Sequence, residues 1–165
     1  IIKGGIIEDF SGRILNLHLG LSPYYRGAGT NYFPFVNGEP EFCGATYLYL
    51  DAGIDTGEII HQIRPTIYQV DSFHQLSNRF LLKAYEAYIS IAENFNKLEK
   101  LEPNPQLRVK EPHTPLKYYR NSDFTDESIS QLYRNFSEGM LYNYLDHKAS
   151  RDSFVPILTQ PCLEH

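Results

Sequence analysis

The sequence predicts an α/β fold with a mixed sheet, an antiparallel hairpin, a long covering helix and a helical tail, and three observations predict it. Residues 42–50 and 58–67 are two strand-length runs rich in aromatic and branched side chains. From residue 71 the apolar period changes: Phe73, Leu76, Phe80, Ala84, Ala87 or Tyr88, Ile91, Phe95 and Leu98 lie on one stripe of a helix of about seven turns. After Pro103, Pro105, Pro112 and Pro115, two short segments resume the helical period.

Taken in order, residues 1–12 read as the end of one strand, a glycine turn and a short segment, and residues 13–18 as a compact strand. Residues 19–29 hold Gly20, Pro23, Gly27 and Gly29, a composition that predicts a rigid loop. Residues 30–37 read as a helix-like segment whose stripe is Tyr32, Phe33, Phe35 and Val36, with Pro34 tolerated near its start. Asn37-Gly38-Glu39-Pro40 breaks it. The link between the two strand runs is too short for a parallel crossover, which needs a dozen or more residues, so they pair antiparallel. Asp71 or Ser72 caps the long helix, and Pro103 with Pro105 marks its stop. Residues 100–118 form an extended connector, then Thr125 caps a helix carrying Ile129, Leu132, Tyr133 and Phe136. A further helix around residues 139–147 carries Met140, Leu141, Tyr144 and Leu145.

A chain of 165 residues, 42% apolar and 21% charged, is a globular domain large enough to bury a core. A net charge of -5 argues against a general nucleic-acid binder. No apolar run approaches the roughly 20 residues of a membrane helix, and the expected compartment is the cytoplasm. Cys43 and Cys162 are too few and too far apart for a disulfide framework or a zinc site. Cys43 reads as a small buried hydrophobe. The opening without methionine reads as a truncated segment, and Leu163-Glu164-His165 as a tag remnant.

Chemistry concentrates between residues 16 and 57. Asn16 and His18 are two apart, so a strand presents both on one face. Asp55 lies in the acidic, glycine-hinged link Asp51-Ala52-Gly53-Ile54-Asp55-Thr56-Gly57. An amide can donate to an oxyanion, an imidazole can move protons, and a carboxylate can orient that imidazole. By spacing alone such residues are more often structural. Arg26 either pairs locally or touches a substrate. Tyr24 and Tyr25 can stack on a sugar or a base, although most tyrosines serve core and rim. His61, His74, His113 and His147 lack metal-ligand spacing and read as packing or surface.

The run Asn16-Leu17-His18-Leu19-Gly20-Leu21-Ser22-Pro23-Tyr24-Tyr25-Arg26-Gly27, followed by Gly44-Ala45-Thr46 and by the 51–57 link continuing Glu58-Ile59-Ile60, resembles the folate-dependent formyltransferase family. Methionyl-tRNA, glycinamide-ribonucleotide and nucleotide-amino-sugar N-formyltransferases belong to it. The resemblance covers about residues 1–70, and its Tyr-Tyr-Arg-Gly wording is most similar to the sugar branch. It departs in one place: many members carry Ser-Leu-Leu-Pro where this chain has Gly20-Leu21-Ser22-Pro23.

The resemblance implies the C-terminal part of a Rossmann-like domain, short of the N-terminal half. It further implies formyl transfer from 10-formyltetrahydrofolate to a primary amine, without a metal. Asn16 would bond the oxyanion, His18 would stabilise it and move protons, and Asp55 would hold His18 and help deprotonate the amine. Asp51, Gly53, Ile54, Thr56 and Gly57 would wall the pterin pocket, with Tyr24 and Arg26 toward the acceptor. The expected acceptor is a nucleotide-linked amino sugar. The alternatives are a methionyl-tRNA acceptor and a non-catalytic interaction module; a homodimer is compatible with each. Residues 1–100 are then catalytic, and residues 101–162 are a proline-rich connector and helical appendage.

Overall fold

The computed structural model describes residues 5–10, 12–50, 57–101 and 117–163. Its centre is a three-stranded antiparallel sheet in the order β1 (Leu15–His18), β3 (Ala45–Tyr49), β4 (Ile59–Ile63). The hairpin of β3 and β4 forms as its aromatic and branched runs predict. The register is Leu15 opposite Tyr49, Asn16 opposite Leu48, Leu17 opposite Tyr47 and His18 opposite Thr46. Because side chains alternate across a sheet, two faces follow from this register. Leu15, Leu17, Ala45, Tyr47 and Ile63 join the core with Phe80, Ala84 and Ile91 of the long helix. Asn16, His18, Thr46 and Gln62 take the opposite face.

That helix, α3 (Phe73–Glu93), starts on a capping box: Ser72 accepts from the Gln75 amide while the Gln75 side chain accepts from the Ser72 amide. Leu76, Phe80, Ala84 and Ile91 are its buried stripe, as their spacing predicts. Its end differs from expectation. The helix stops at Glu93, capped by Asn94, and Phe95 begins a 3-10 turn. The prolines after residue 100 do not set this boundary; Asn94 turns its own amide back onto the Ser90 carbonyl.

Three further expectations are corrected. Gly5–Asp9, read as a glycine turn and short segment, is a helical turn, α1, with Ile6 on it and Phe10 just after it exposed; residues 1–4, where the strand end was expected to begin, lie outside the described residues. Residues 25–27 are a strand, β2 (Tyr25–Gly27), inside the segment read as a loop. Its parallel partner β5 (Lys117–Tyr119) lies at the end of the segment read as a connector. The parallel pairing thus forms its own two-stranded ladder rather than part of a mixed central sheet. The helix-like segment at residue 30 narrows to one turn, α2 (Phe33–Val36), with Pro34 in its first turn.

The tail contains α4 (Asp126–Ser137), capped by Thr125, then α5 (Met140–Asp146) and α6 (Lys148–Ser153). Leu132, Leu141 and Tyr144 share a core cluster with Phe35, Cys43, Ile67 and Leu76. Asn135 Nδ2 donates to the Phe35 and Val36 carbonyls at 2.8 and 2.9 Å, satisfying the open end of α2. Residues 154–163 then return along the outer edge of β4. The Gln62 amide donates to Leu158 O, and the Gln160 amide to His61 Nδ1. The sheet edge is covered in this way, and Leu163 is buried in the core behind it.

Candidate active site

Asn16 and His18 emerge on one face of β1, as their spacing predicts. His18 is buried, and its Nε2 donates to Tyr25 O at 3.0 Å. A carbonyl only accepts, so this bond fixes the ring orientation and puts a proton on Nε2. Gly20 makes the approach possible: a Cβ there would lie 2.6 Å from His18 Nε2 and 2.6 Å from Thr30 Cβ. Thr30 Oγ1, beside it, donates to Leu19 O.

Two polar residues to which the sequence reading gave no role hold this loop. Thr46 Oγ1 donates to Gly20 O at 2.7 Å and accepts from the Ser22 amide at 3.0 Å. Gln62 Nε2 donates to Ser22 O at 2.9 Å and to Thr46 Oγ1 at 3.1 Å. Both side chains are fully buried, and buried polar groups need such partners. The available signal was a threonine and a glutamine inside apolar strand runs, on the face that alternation assigns to Asn16 and His18.

Tyr24, expected toward the acceptor, is 3% exposed and packs edge-on against Phe42, ring centres 5.3 Å apart. Burial pushes its hydroxyl pKa up to about 12. Tyr25 is also internal. Its hydroxyl donates to Glu39 and accepts from Asn37, and burial pushes its pKa up. Arg26 is half-buried in β2, and its Nε is shut from solvent with no hydrogen-bond partner among the described residues.

Gly57 lies where the hairpin closes. A Cβ there would collide with Tyr49 O and sit 3.3 Å from Leu48 Cδ1, so the chain passes tightly over β3 only because residue 57 lacks a side chain. Asp51, Gly53, Ile54, Asp55 and Thr56 lie outside the described residues. Cys43 is buried, its Sγ donates to Asn31 Oδ1, and burial pushes its thiol pKa up. His61, His74 and His147 do not join this site: His61 accepts from the Gln160 amide, and the other two are at the ends of helices. Among the described residues no cluster of His, Cys, Asp and Glu could hold a metal ion, and no helix is long and apolar enough to cross a membrane.

The chain is similar to methionyl-tRNA formyltransferases, sharing 35% identity over 108 residues with that of Thermodesulfovibrio yellowstonii, 64% of this chain and 34% of that protein. With the Thermus thermophilus enzyme it shares 30% over 149 residues, 89% of this chain and 48% of that protein. The chain thus spans between a third and a half of the length of these relatives. Among solved structures it is similar to the formyltransferase PseJ from Anoxybacillus kamchatkensis in complex with UDP-4,6-dideoxy-4-formamido-L-AltNAc and tetrahydrofolate. There the TM-score is 0.61 and the identity 26%, over 80% of this chain and 70% of that one. The N-formyltransferase of Helicobacter canadensis, with folinic acid and dTDP-3-aminofucose, shares the fold at a TM-score of 0.58 and 24% identity, over 79% of this chain and 50% of that one. The family model described as formyl transferase matches residues 1–92, more than half of the sequence, and with Asn16 and His18 on one strand face above a glycine-lined loop, the chain belongs to the formyl transferase family.

Proposed function

We propose that the whole protein transfers a formyl group from 10-formyltetrahydrofolate to the amine of a nucleotide-linked amino sugar. The carrying observation is the shared face of Asn16 and His18, with His18 fixed by the Tyr25 carbonyl and Gly20 beside its ring. In this reading the chain is the C-terminal part of a Rossmann-like catalytic domain. Residues 1–100 do the chemistry, and 101–162 form a connector and helical appendage.

When bound, the folate supplies the formyl carbon. Asn16 Nδ2 donates to the oxygen that becomes negative as the amine nitrogen adds to that carbon. His18, held by its Nε2 bond, uses Nδ1 to exchange the proton that the amine must lose and the leaving nitrogen must gain. Asp55 orients His18 and draws the amine proton, and Asp51, Gly53, Ile54, Thr56 and Gly57 line the pterin side. Arg26 faces the acceptor, with Tyr24 bracing the loop behind it.

The sugar acceptor is favoured by the net charge of -5 and by the PseJ likeness. The methionyl-tRNA acceptor is the second reading, favoured by the relatives of that name. The test is formylation by the intact protein of a UDP- or dTDP-linked amino sugar and of charged initiator tRNA. The sugar is expected to turn over, and kcat to fall about 100-fold or more in His18→Ala and Asn16→Ala. Wild-type turnover by His18→Ala would overturn the mechanism. A module that binds neither folate nor amine would show no activity with either acceptor.

A further inference from the structure

The outward face of the β2–β5 ladder carries a cation and an aromatic ring side by side. In the parallel register Arg26 is opposite Tyr118, and opposed residues put their side chains on one face. The neighbouring pair fixes which face that is. Lys117 Nζ lies 5.6 Å from the Tyr25 ring centre, and Tyr25 stacks on Tyr119 at 5.9 Å, both on the core side. Arg26 and Tyr118 therefore turn away from the core.

Tyr118 is 56% exposed, and one exposed tyrosine is unremarked on any surface. Its neighbour changes the reading. Arg26 Nε is closed to solvent and has no hydrogen-bond partner, and the guanidinium has no carboxylate in ion-pair range, among the described residues. A buried N–H without an acceptor is costly and uncommon. A guanidinium held that way is a planar donor fork suited to an oxyanion with several oxygens, above all a phosphate. The ring beside it is seated by Gly27, where a Cβ would lie 3.3 Å from Tyr118 Cε2. The ladder also abuts the site, because the carbonyl that holds His18 belongs to Tyr25, the residue bonded to the Arg26 nitrogen.

We propose that Arg26 and Tyr118 form a clamp for the nucleoside diphosphate of the acceptor, the base stacking on Tyr118 and a phosphate taking the terminal Nη groups of Arg26. This rests on the amino-sugar reading above and assigns Tyr118, on the second strand of the ladder, as the residue that selects a nucleotide-linked amine over a free one. No bond is made or broken at the clamp. It holds the acceptor so that the amine reaches His18.

The test is calorimetric titration of the intact protein, without folate, with UDP, dTDP, uridine and inorganic pyrophosphate. Stacking on an aromatic ring accounts for about 5- to 150-fold in affinity per base. Tyr118→Ala is expected to weaken UDP and dTDP by that factor and to leave pyrophosphate unaffected, while Tyr118→Phe, which keeps the ring, restores the affinity. Arg26→Ala is expected to weaken UDP, dTDP and pyrophosphate alike by about 10-fold or more. Thermal melts of each variant exclude unfolding as the cause, since Tyr118→Phe and Tyr118→Ala share the same backbone pairing. Unchanged UDP affinity in Tyr118→Ala would overturn the clamp, as would binding of a tRNA acceptor stem, but not UDP, to the wild-type protein. The two readings fail separately: formylation of an amino sugar with a Tyr118→Ala KM like that of wild type defeats the clamp alone. Ring-dependent UDP binding without formyl transfer defeats the catalytic reading alone.

Discussion

At the scale of single residues, the site depends as much on a missing side chain as on those present. His18 can approach Tyr25 O because residue 20 ends at Cα. Any side chain here, a serine included, would bring its Cβ into the same 2.6 Å gap. The glycine is thus matched to the way Thr30 and Thr46 draw this loop down. Gly20→Ala is expected to push His18 off Tyr25 O. Overpacking of this kind costs about 1–3 kcal/mol, and a displacement near 1 Å of a catalytic group costs about 100-fold in rate. Melting temperature and kcat measured together check this, and an alanine variant with wild-type kcat would remove Gly20 from any positioning role.

At the scale of elements, the sequence was legible where periodicity is long and local. The stripe of α3 repeats over about six turns, and the hairpin strands follow each other in sequence across a single link, so alternation and spacing suffice. β2 and β5 were illegible for the opposite reason. Each has three residues, they are separated by ninety positions, and β2 ends on Gly27 between Pro23 and Gly29, residues that read as turns. Asn16 and His18 were legible because two residues on one strand share a face by themselves. Thr46 and Gln62 needed the register of three strands. The start of α3 adds an electrostatic prediction. Asp71 accepts from Arg79 at 3.0 and 2.5 Å and from the Tyr68 amide at 2.8 Å. Burial alone would raise its pKa, but the hydrogen bonds from Arg79 and Tyr68 outweigh it and hold the carboxyl below its ordinary 3.8. A depressed carboxyl stabilises the fold above its unfolded pKa and loses that contribution as pH falls through the folded value. Urea unfolding should therefore find Asp71→Asn less stable than wild type at pH 7, by about 1 kcal/mol for so partly exposed a pair. The gap should close as pH drops below 3.8 toward the folded value. A gap independent of pH would mean that the hydrogen bonds, not the charge, stabilise this turn.

At the scale of the molecule, Gln62 ties three distant parts of the chain together. Its side chain donates to Ser22 O and Thr46 Oγ1 and accepts from the Leu158 amide at 3.0 Å, while its own amide donates to Leu158 O. The loop that aims Tyr25 O at His18, the central strand and the returning tail therefore meet on one fully buried amide. Both ends of that amide are used, so no single donor or acceptor can replace it. Gln62→Leu keeps the volume and removes the polar ends, leaving Ser22 O buried and the Leu158 amide part-buried without those partners. At about 1–3 kcal/mol for each unsatisfied group, the expected loss is about 2–6 kcal/mol, a large share of an ordinary domain's stability. Gln62→Glu separates packing from polarity, because it still accepts from the Leu158 amide but cannot donate to Ser22 O. Equilibrium unfolding should rank wild type above both variants. At temperatures where Gln62→Glu stays folded, its kcat should still fall, since the 20–22 loop has lost the bond that orders it. If Gln62→Glu loses stability and keeps full kcat, the network supports the fold and leaves His18 to be positioned by Gly20 and Thr46 alone.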